Sequence, residues 1–321
     1  MAEPTGTTRS PVRAAVSAVP VRHVGRLVGR VRSVAGRTAL TARSLLTPVG
    51  VAGVAVEAAW CTAHLAVYPL GLLAERRAEP EPYGLDRLAP MQRGLLIGDV
   101  AAAGTPILLV HGMVDNRSIF TLLRRGLRRR GFGRVLSINY SPVTNDVRSA
   151  ARDLAEQVEA LVSDTGYERI HVVGHSLGGL IARYYVQCLG GHERVHTLVT
   201  MGTPHGGTQP ARLFPVELCR QLRPGSDVYA ELERPASGCR TRFIAYWSDL
   251  DQMIVPKRNA RIAHSDLSVR NVLVRGVGHM SLPIQPRLAR EISDALSQLD
   301  TDGSTLTHGV TPLARSRRRD R

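Results

Sequence analysis

The sequence predicts an α/β fold in which helices cover both faces of a mostly parallel sheet. From about residue 90 to residue 300, short apolar runs of strand length alternate with segments of helical periodicity. One apolar run, Ile170–Val173, passes through a glycine-rich turn directly into a helical pattern. The length of 321 residues and the hydrophobic content of 43% suit one large α/β domain with additional segments.

The individual elements follow from their patterns. Ile107–Val110 is a continuous apolar run, typical of a parallel strand that is buried on both faces. The predicted strands are Leu95–Ile97, Pro106–Val110, Arg134–Ile138, Ile170–Val173, Val195–Thr200, Arg242–Trp247 and Val272–Val274. The predicted helices are Ile119–Arg130, Asp146–Leu161, Leu180–Val186 and Arg287–Leu299.

The net charge of +15 lies mainly at the two ends of the chain. Residues 1–43 contain eight arginines and one acid, and the last eleven residues contain five arginines and one acid. No aromatic side chains alternate with these arginines, so the pattern excludes a nucleic-acid groove. We predict a disordered basic arm over 1–44 and a disordered basic tail over 301–321.

An apolar helix is predicted over 45–74, followed by a charged, proline-containing linker over 75–89. Its apolar part, 49–73, is long enough to cross a bilayer, and the preceding arginines would then leave the N-terminus in the cytoplasm. Glu57 and His64, seven residues apart on one helix face, disfavour a span. A helix lying on the membrane surface and a helix docked on a soluble domain therefore stay open as alternatives.

Gly174, Ser176 and Gly178 form the G-x-S-x-G pattern of a nucleophile elbow. In such an elbow, a strand turns sharply into a helix, and the residues two before and two after the serine must lack a bulky side chain. The helix that follows directs its first N–H groups at the position where an oxyanion would form. Ser176 is therefore the candidate nucleophile.

A serine nucleophile requires a histidine base and an acid that orients this base. His279 follows the last predicted strand within a run of small residues and is the preferred base. His196, His205 and His264 are interpreted as structural. The acid is expected after the Arg242–Trp247 strand, where Asp251 is preferred and Asp249 is the alternative; the other carboxylate would cap the helix near Pro256 or face solvent.

The oxyanion hole requires two backbone N–H groups. One is expected from Leu177, which follows the nucleophile, and the other from Met113, in the loop after the Ile107–Val110 strand. The His111 side chain is interpreted as a hydrogen-bonding partner of that loop.

Taken together, these motifs resemble bacterial triacylglycerol lipases and esterases of the α/β-hydrolase fold over roughly residues 90–300. The most lipase-like segment is Gly-Thr-Pro-His-Gly-Gly-Thr, from Gly202 to Thr208. One departure concerns the acid: such relatives place it four residues before a Val-Pro proline, whereas Asp251 is five before Pro256. The resemblance does not extend to the first 88 residues.

The resemblance implies a cap over the active site at about 209–238, with an apolar underside that could use Leu213, Phe214, Val216, Leu218 and Leu222. Cys219 and Cys239 flank this cap, so a disulfide between them and four free thiols are both open. The implied partner is a lipid or another ester. Membrane association is expected from the apolar stretch 49–73, which lies outside the resemblance. The catalytic domain would then be extracytoplasmic, and a cytoplasmic location is the alternative.

The resemblance implies hydrolysis of carboxylic esters by a lipase or lipid esterase, through an acyl-enzyme on Ser176. Two alternatives stay open. One is an α/β hydrolase of another acyl bond, such as a thioesterase or a polyester depolymerase. The other is a catalytically silent, membrane-tethered binding protein. We expect no cofactor and no metal, because zinc-type Cys/His spacing, a P-loop and a dinucleotide fingerprint are missing from the sequence.

Overall fold

The computed structural model describes residues 47–72, 100–113, 115–138 and 146–298. The predicted arm 1–44, the linker 75–89, the strand Leu95–Ile97 and the tail 301–321 lie outside these residues. The described strands are β1 (Ile107–Val110), β2 (Val135–Ile138), β3 (Ile170–His175), β4 (Val195–Met201), β5 (Arg242–Ser248) and β6 (Ser268–Val274). The described helices are α1 (Pro48–Leu72), α2 (Val100–Gly104), α3 (Thr121–Arg129), α4 (Val147–Thr165), α5 (Leu177–Cys188), α6 (Glu217–Gln221), α7 (Asp227–Leu232) and α8 (Pro286–Leu296).

The six strands form one parallel sheet in the order β2-β1-β3-β4-β5-β6. Every residue of β1, β3 and β4 is buried, as expected for central strands covered on both faces. β1 is the continuous apolar run that predicts such burial, whereas β3 and β4 also bury polar side chains, among them His171 and His196. β6 is only partly buried and begins at Ser268, four residues before the predicted strand Val272–Val274. Its alternating exposed and half-buried residues explain why the apolar pattern reveals only its end.

Helices cover both faces of the sheet. α4 and α5 pack against each other on one face, and α3 packs against α8 on the other. The ends of α4 follow familiar signals: the Asp146 carboxylate accepts hydrogen bonds from the Arg148 and Ser149 amides, and Gly166 ends the helix with a φ of 73°. These helices leave the carboxyl edge of the sheet to loops.

The chain reverses its direction across the sheet between β1 and β3. β2 lies on one side of β1, and the chain then crosses to place β3 on the other side. In open parallel sheets, ligands bind beyond the carboxyl ends of the strands at such a switch point. The loop after β1 and the turn after β3 meet at this position, and they contain the predicted oxyanion residues and the predicted nucleophile.

α1 contacts the short turn Arg117–Phe120 and the loop that follows β6. Gly50 and Gly53 are buried on its inner side, whereas Val51, Val54 and Val56 are exposed. Among the described parts of the chain, no helix combines the length and hydropathy that a membrane crossing requires.

Candidate active site

Ser176 occupies the turn between β3 and α5 with a φ of 53° and a ψ of −123°. Among the described residues, it is the one non-glycine with a positive φ. Its amide donates to the Met201 carbonyl at 2.9 Å, which ties the turn to the end of β4. A serine held in this strained conformation at the start of a helix is the geometry that the nucleophile elbow predicts.

The glycines on either side of Ser176 are required by close backbone contacts. A Cβ on Gly174 would lie 2.4 Å from the Gly179 Cα, and a Cβ on Gly178 would lie 2.3 Å from the carbonyl oxygens of Val110 and His111. These neighbours are backbone atoms that cannot rotate away. The small residues are therefore required by packing within the turn at Gly174 and against the end of β1 at Gly178.

His279 and Asp251 form a buried pair. The His279 Nδ1–H donates to the Asp251 Oδ2 at 2.8 Å, and both side chains are 5% exposed or less. The Asp251 Oδ1 accepts from the amides of Met253 and Ile254, at 2.9 and 3.1 Å. Because Nδ1 carries the proton shared with Asp251, Nε2 is the ring nitrogen that can accept a proton from a serine.

Burial and charge act in opposite directions on this pair. Burial disfavours the imidazolium, but Asp251 outweighs it, with further help from Glu57 and Asp115, and the pKa of His279 is raised. Burial likewise disfavours the Asp251 carboxylate, yet the facing His279 and the hydrogen bonds to Oδ1 hold its pKa below the ordinary value. The pair therefore favours an ionised acid beside a base that can hold a proton.

His175, which immediately precedes Ser176, contacts the backbone of the candidate base. Its Nε2–H donates to the His279 carbonyl at 3.1 Å, and the two ring centres are 4.8 Å apart. Burial, followed by the neighbouring His279, lowers the pKa of His175 to about 4. His175 is therefore a neutral donor at physiological pH, and it links the nucleophile turn to the His279 loop.

Asp249, the alternative acid, lies elsewhere. Its Oδ1 accepts from the Gly276 amide at 2.8 Å, three residues before His279. Asp249 does not cap the turn near Pro256, because the short turn Lys257–Ala260 has no side-chain cap; its side chain is partly exposed. Asp249 holds the His279 loop, and Asp251 contacts His279 itself.

The predicted oxyanion residues lie beside the nucleophile. Met113 and Leu177 line the same cleft as Ser176. His111 is buried, and its Nδ1–H donates to the Gly112 carbonyl at 2.9 Å, which fixes the loop after β1. His111 thus makes the hydrogen bond to its own loop that is predicted from the sequence.

The segment from Gly202 to Thr208 connects the nucleophile side of the site to the acid loop. The Thr208 hydroxyl donates to the Met253 carbonyl at 2.7 Å and accepts from the Val255 amide at 2.9 Å. The Asn259 side-chain amide donates to the carbonyls of Gly206 and Gly207. These contacts brace the loop that positions Asp251.

The remaining histidines considered as bases make structural contacts. His205 pairs with the Thr200 hydroxyl at 2.9 Å, and His196 pairs with the Thr197 hydroxyl at 2.9 Å. His264 contacts the Arg234 carbonyl at 3.0 Å. Each position agrees with the structural interpretation.

An apolar cleft opens above Ser176 and uses part of the predicted cap. Leu218 and Leu222 are buried, and Phe214 lines the cleft although its side chain is largely exposed. Leu213 and Val216 are 78% and 53% exposed and do not line the cleft, so these two do not contribute to the apolar underside for which they were candidates. The cleft is lined by Met113, Ser176, Leu177, Pro204, Thr208, Pro210, Ala211, Phe214, Cys219, Leu222, Met253 and Ile254.

The four cysteines are free thiols. Cys219 is buried in the wall of the cleft, and Cys239 is partly buried in the core that packs against the cap. The disulfide left open between these two residues is not formed. Packing, and not a covalent bridge, holds the cap.

Glu57 is a neighbour of the site that no sequence motif predicts. Its carboxylate accepts hydrogen bonds from the amides of Met280 and Ser281, directly after His279. The available signal was a single carboxylate in an apolar helix, which is costly to bury without a partner. Within the described ranges, no group of three or more His, Cys, Asp or Glu side chains could hold a metal ion.

The chain is similar to a known protein family. The palmitoyl protein thioesterase family matches residues 106–254, a range that includes Ser176 and Asp251 and ends before His279. Triacylglycerol lipases of Pseudarthrobacter phenanthrenivorans and Burkholderia plantarii are each 28% identical to this chain over 117 residues. These matches cover 34% of this chain and 36% and 32% of the two lipases, about a third of their length.

Solved structures that align with a larger part of this chain share its fold. Bacillus licheniformis lipase BlEst2 in its mature form is 17% identical, with a TM-score of 0.52, over 71% of this chain and 97% of that one. Aspergillus fumigatus lipase B is 16% identical, with a TM-score of 0.55, over 71% of this chain and 58% of that one. The chain has the α/β-hydrolase fold that the sequence predicts.

Proposed function

We propose that this chain is a serine hydrolase of carboxylic esters, acting as a lipase or lipid esterase. The observation that supports the proposal most directly is the buried Asp251–His279 hydrogen bond of 2.8 Å beside the strained Ser176 turn. An inert binding protein gains nothing from a strained serine, and such strain persists where the surrounding structure enforces it. The similarity to triacylglycerol lipases supports the same reaction class.

The reaction begins when His279 Nε2 accepts the Ser176 proton as the serine Oγ attacks the ester carbonyl. The oxyanion then accepts hydrogen bonds from the backbone amides of Met113 and Leu177. His279 returns the proton to the leaving alcohol, which leaves an acyl group on Ser176. Water, activated by His279, releases the acid and restores the enzyme.

The cleft supports an acyl chain as the group that is bound. Ten of its twelve lining residues have apolar side chains or a thiol, and the two exceptions are Ser176 and Thr208. An apolar cleft with few polar groups gains free energy from burying hydrocarbon and gives a glycerol or sugar few partners. We therefore place the acyl chain in the cleft and the alcohol toward solvent.

The first experiment measures hydrolysis of p-nitrophenyl esters from short to long acyl chains by the whole chain. We expect turnover that rises with chain length and falls by about 10⁴-fold or more in Ser176→Ala. An unchanged rate in Ser176→Ala would contradict the proposal. A chain without turnover on any ester or thioester would favour a silent binding protein.

A thioesterase is the second candidate, because the palmitoyl protein thioesterase family matches residues 106–254. The chemistry of attack is the same, and the leaving group is a thiolate that needs less help from His279. Long-chain acyl thioesters are therefore tested beside the esters at matched chain length. A kcat/KM at least about tenfold higher on the thioester, roughly 1.4 kcal/mol in transition-state free energy, would select this candidate.

We further propose that the protein works at a lipid surface. Leu213 and Val216 are exposed near the mouth of the cleft, and Val51, Val54 and Val56 are exposed on α1. Glu57, the one acid of α1, is directed to the His279 loop, so its charge is withdrawn from the outer face. These features support a helix lying on a membrane, with its apolar side chains in the headgroup region.

The double variant Leu213→Asp/Val216→Asp tests the lipid-surface proposal. Both residues are exposed and neither lines the cleft, so kcat/KM on a short soluble ester is expected to stay within about twofold. Binding to phosphatidylcholine/phosphatidylglycerol vesicles and hydrolysis of emulsified long-chain ester are expected to fall about tenfold or more. Leu189→Asp, at the far end of α5, is the matched control. Equal losses in the control would argue against a surface formed by Leu213 and Val216.

A further inference from the structure

Glu57 joins α1 to the loop that contains the base. Its Oε1 accepts from the Met280 amide at 2.7 Å, and its Oε2 accepts from the Ser281 amide at 2.8 Å. Both carboxylate oxygens are thus used on the two residues that directly follow His279. A carboxylate that accepts two backbone N–H groups fixes the direction of that backbone more firmly than a single neutral hydrogen bond.

The helix and the loop approach each other closely because both contain glycine at the contact. A Cβ on Gly53 would lie 2.2 Å from the Gly276 carbonyl oxygen, and a Cβ on Gly278 would lie 2.3 Å from the Glu57 Cδ. Gly278 lies against the Glu57 carboxylate, and Gly53, one helical turn before Glu57, lies against Gly276. This close packing leaves the carboxylate little freedom to move.

We propose that Glu57 is a positioning residue for the general base, acting through the Met280 and Ser281 amides and through its charge. The inference rests on the proposed ester or thioester hydrolysis, in which His279 alternates between neutral and protonated states. It assigns α1, which lies outside the matched range 106–254, to the catalytic apparatus. No lipid or second protein is needed for this role.

Two observations indicate that Glu57 positions His279 and does not only attach α1 to the rest of the domain. The amides that donate to the Glu57 carboxylate belong to Met280 and Ser281, the two residues after His279, so a shift of Glu57 would move the base. A displacement of the base by about 1 Å can cost on the order of 100-fold in rate. The charged and titratable groups that face His279 are Asp251, His175, Asp115 and Glu57. Burial lowers the pKa of His279, and Asp251, Glu57 and Asp115 raise it. Removal of the Glu57 charge alone must therefore lower this pKa.

The test compares Glu57→Gln with wild type and with Glu57→Asp. Gln keeps the length of the side chain but has one acceptor oxygen for two amides, and it has no charge. We expect kcat per active site, counted with a p-nitrophenyl phosphonate, to fall about 10–100-fold with KM within about twofold. Because attack needs neutral His279, the acid limb of kcat/KM should move to lower pH. Glu57→Asp keeps the charge, so its acid limb should stay near wild type and its kcat should be intermediate.

Glu156→Gln is the matched control, because Glu156 is an exposed carboxylate on α4. It should leave kcat and the acid limb unchanged. A Glu57→Gln enzyme whose loss is explained by fewer active sites, with an unmoved acid limb, would reduce Glu57 to a structural contact and overturn the proposal. The same holds if Glu57→Asp behaves like Glu57→Gln in its pH profile.

A second readout does not need turnover. Titration of the His279 imidazole by ¹H–¹⁵N correlation spectroscopy should give a lower pKa in Glu57→Gln than in wild type. If the wild-type chain hydrolyses no acyl substrate, the proposed function fails, while this titration still decides whether Glu57 acts on His279. An equal His279 pKa in both proteins would overturn the inference, even where the ester assays succeed.

Discussion

Asp251→Asn is expected to lower kcat/KM by about 10⁴-fold, the largest effect of any substitution outside the nucleophile and the base. The reason lies in the two oxygens of Asp251. Oδ1 accepts from the Met253 and Ile254 amides, so the single oxygen of an asparagine would stay there. The asparagine NH₂ would then face His279 Nδ1, which must accept. The ring proton would move to Nε2, where it prevents His279 from accepting the serine proton.

Asp249→Asn is the matched comparison for this prediction. Its oxygen can still accept from the Gly276 amide, so kcat/KM is expected to stay within about threefold of wild type. Steady-state kinetics on one p-nitrophenyl ester, with thermal unfolding as a check on folding, distinguish the two aspartates. A larger loss of kcat/KM in Asp249→Asn than in Asp251→Asn would show that Asp249, and not Asp251, is the acid that orients His279.

Gly178→Ala is expected to lower the free energy of unfolding by about 3 kcal/mol or more. The added methyl would lie 2.3 Å from the carbonyl oxygens of Val110, which ends β1, and of His111, which begins the loop after it. Neither oxygen can move without displacing the proposed oxyanion loop. For a domain of this size, that loss corresponds to a fall of roughly 10 °C in Tm. Differential scanning calorimetry measures it directly.

Gly126→Ala provides the matched control, because Gly126 also lies in a helix and its added Cβ would meet neighbours at an ordinary 3.6 Å. There, the better helix propensity of alanine should raise stability by about 0.5–1 kcal/mol. Opposite signs for the two glycines would show that the elbow and not helix propensity decides the result. A Gly178→Ala protein that melts within about 2 °C of wild type would contradict the crowding described for the turn.

The elements of this chain that were predictable are the ones fixed by local pattern. The Ser176 turn has a sequence pattern that is contained within six residues, and the buried strand β1 is a continuous apolar run. His279 follows from its position after the last strand. The fold and the position of the nucleophile can therefore be derived without tertiary information.

The sequence does not determine the triad acid, the side chains that line the cleft or the cysteine pairing, because each of these depends on the direction in which side chains point. Asp249 and Asp251 are two residues apart on a loop, and no periodicity tells which one turns toward His279. Leu213 and Val216 are exposed and do not line the cleft, and their apolar character alone does not reveal this. Cys219 lies within the cap and Cys239 directly follows it, yet positions in sequence do not give the geometry that a disulfide needs.

Glu57 illustrates the hardest class of contact to predict. Its partners, Met280 and Ser281, are 223 and 224 residues away in the chain. The sequence shows only that a carboxylate stands alone in an apolar helix, and this favours several explanations equally. A partner so distant can be assigned only when the positions of both elements are known.

That separation has a consequence for the way the protein is made. At typical synthesis rates of about 5–20 residues per second, Glu57 is translated roughly 10–45 s before Met280 and Ser281. During this interval the Glu57 carboxylate and the glycine face of α1 have no native partner, and the nucleophile turn has no base. A nascent chain therefore lacks the proposed base until β6 and the loop after it have been translated. The proposed site is completed only when this loop meets α1, which is translated long before it.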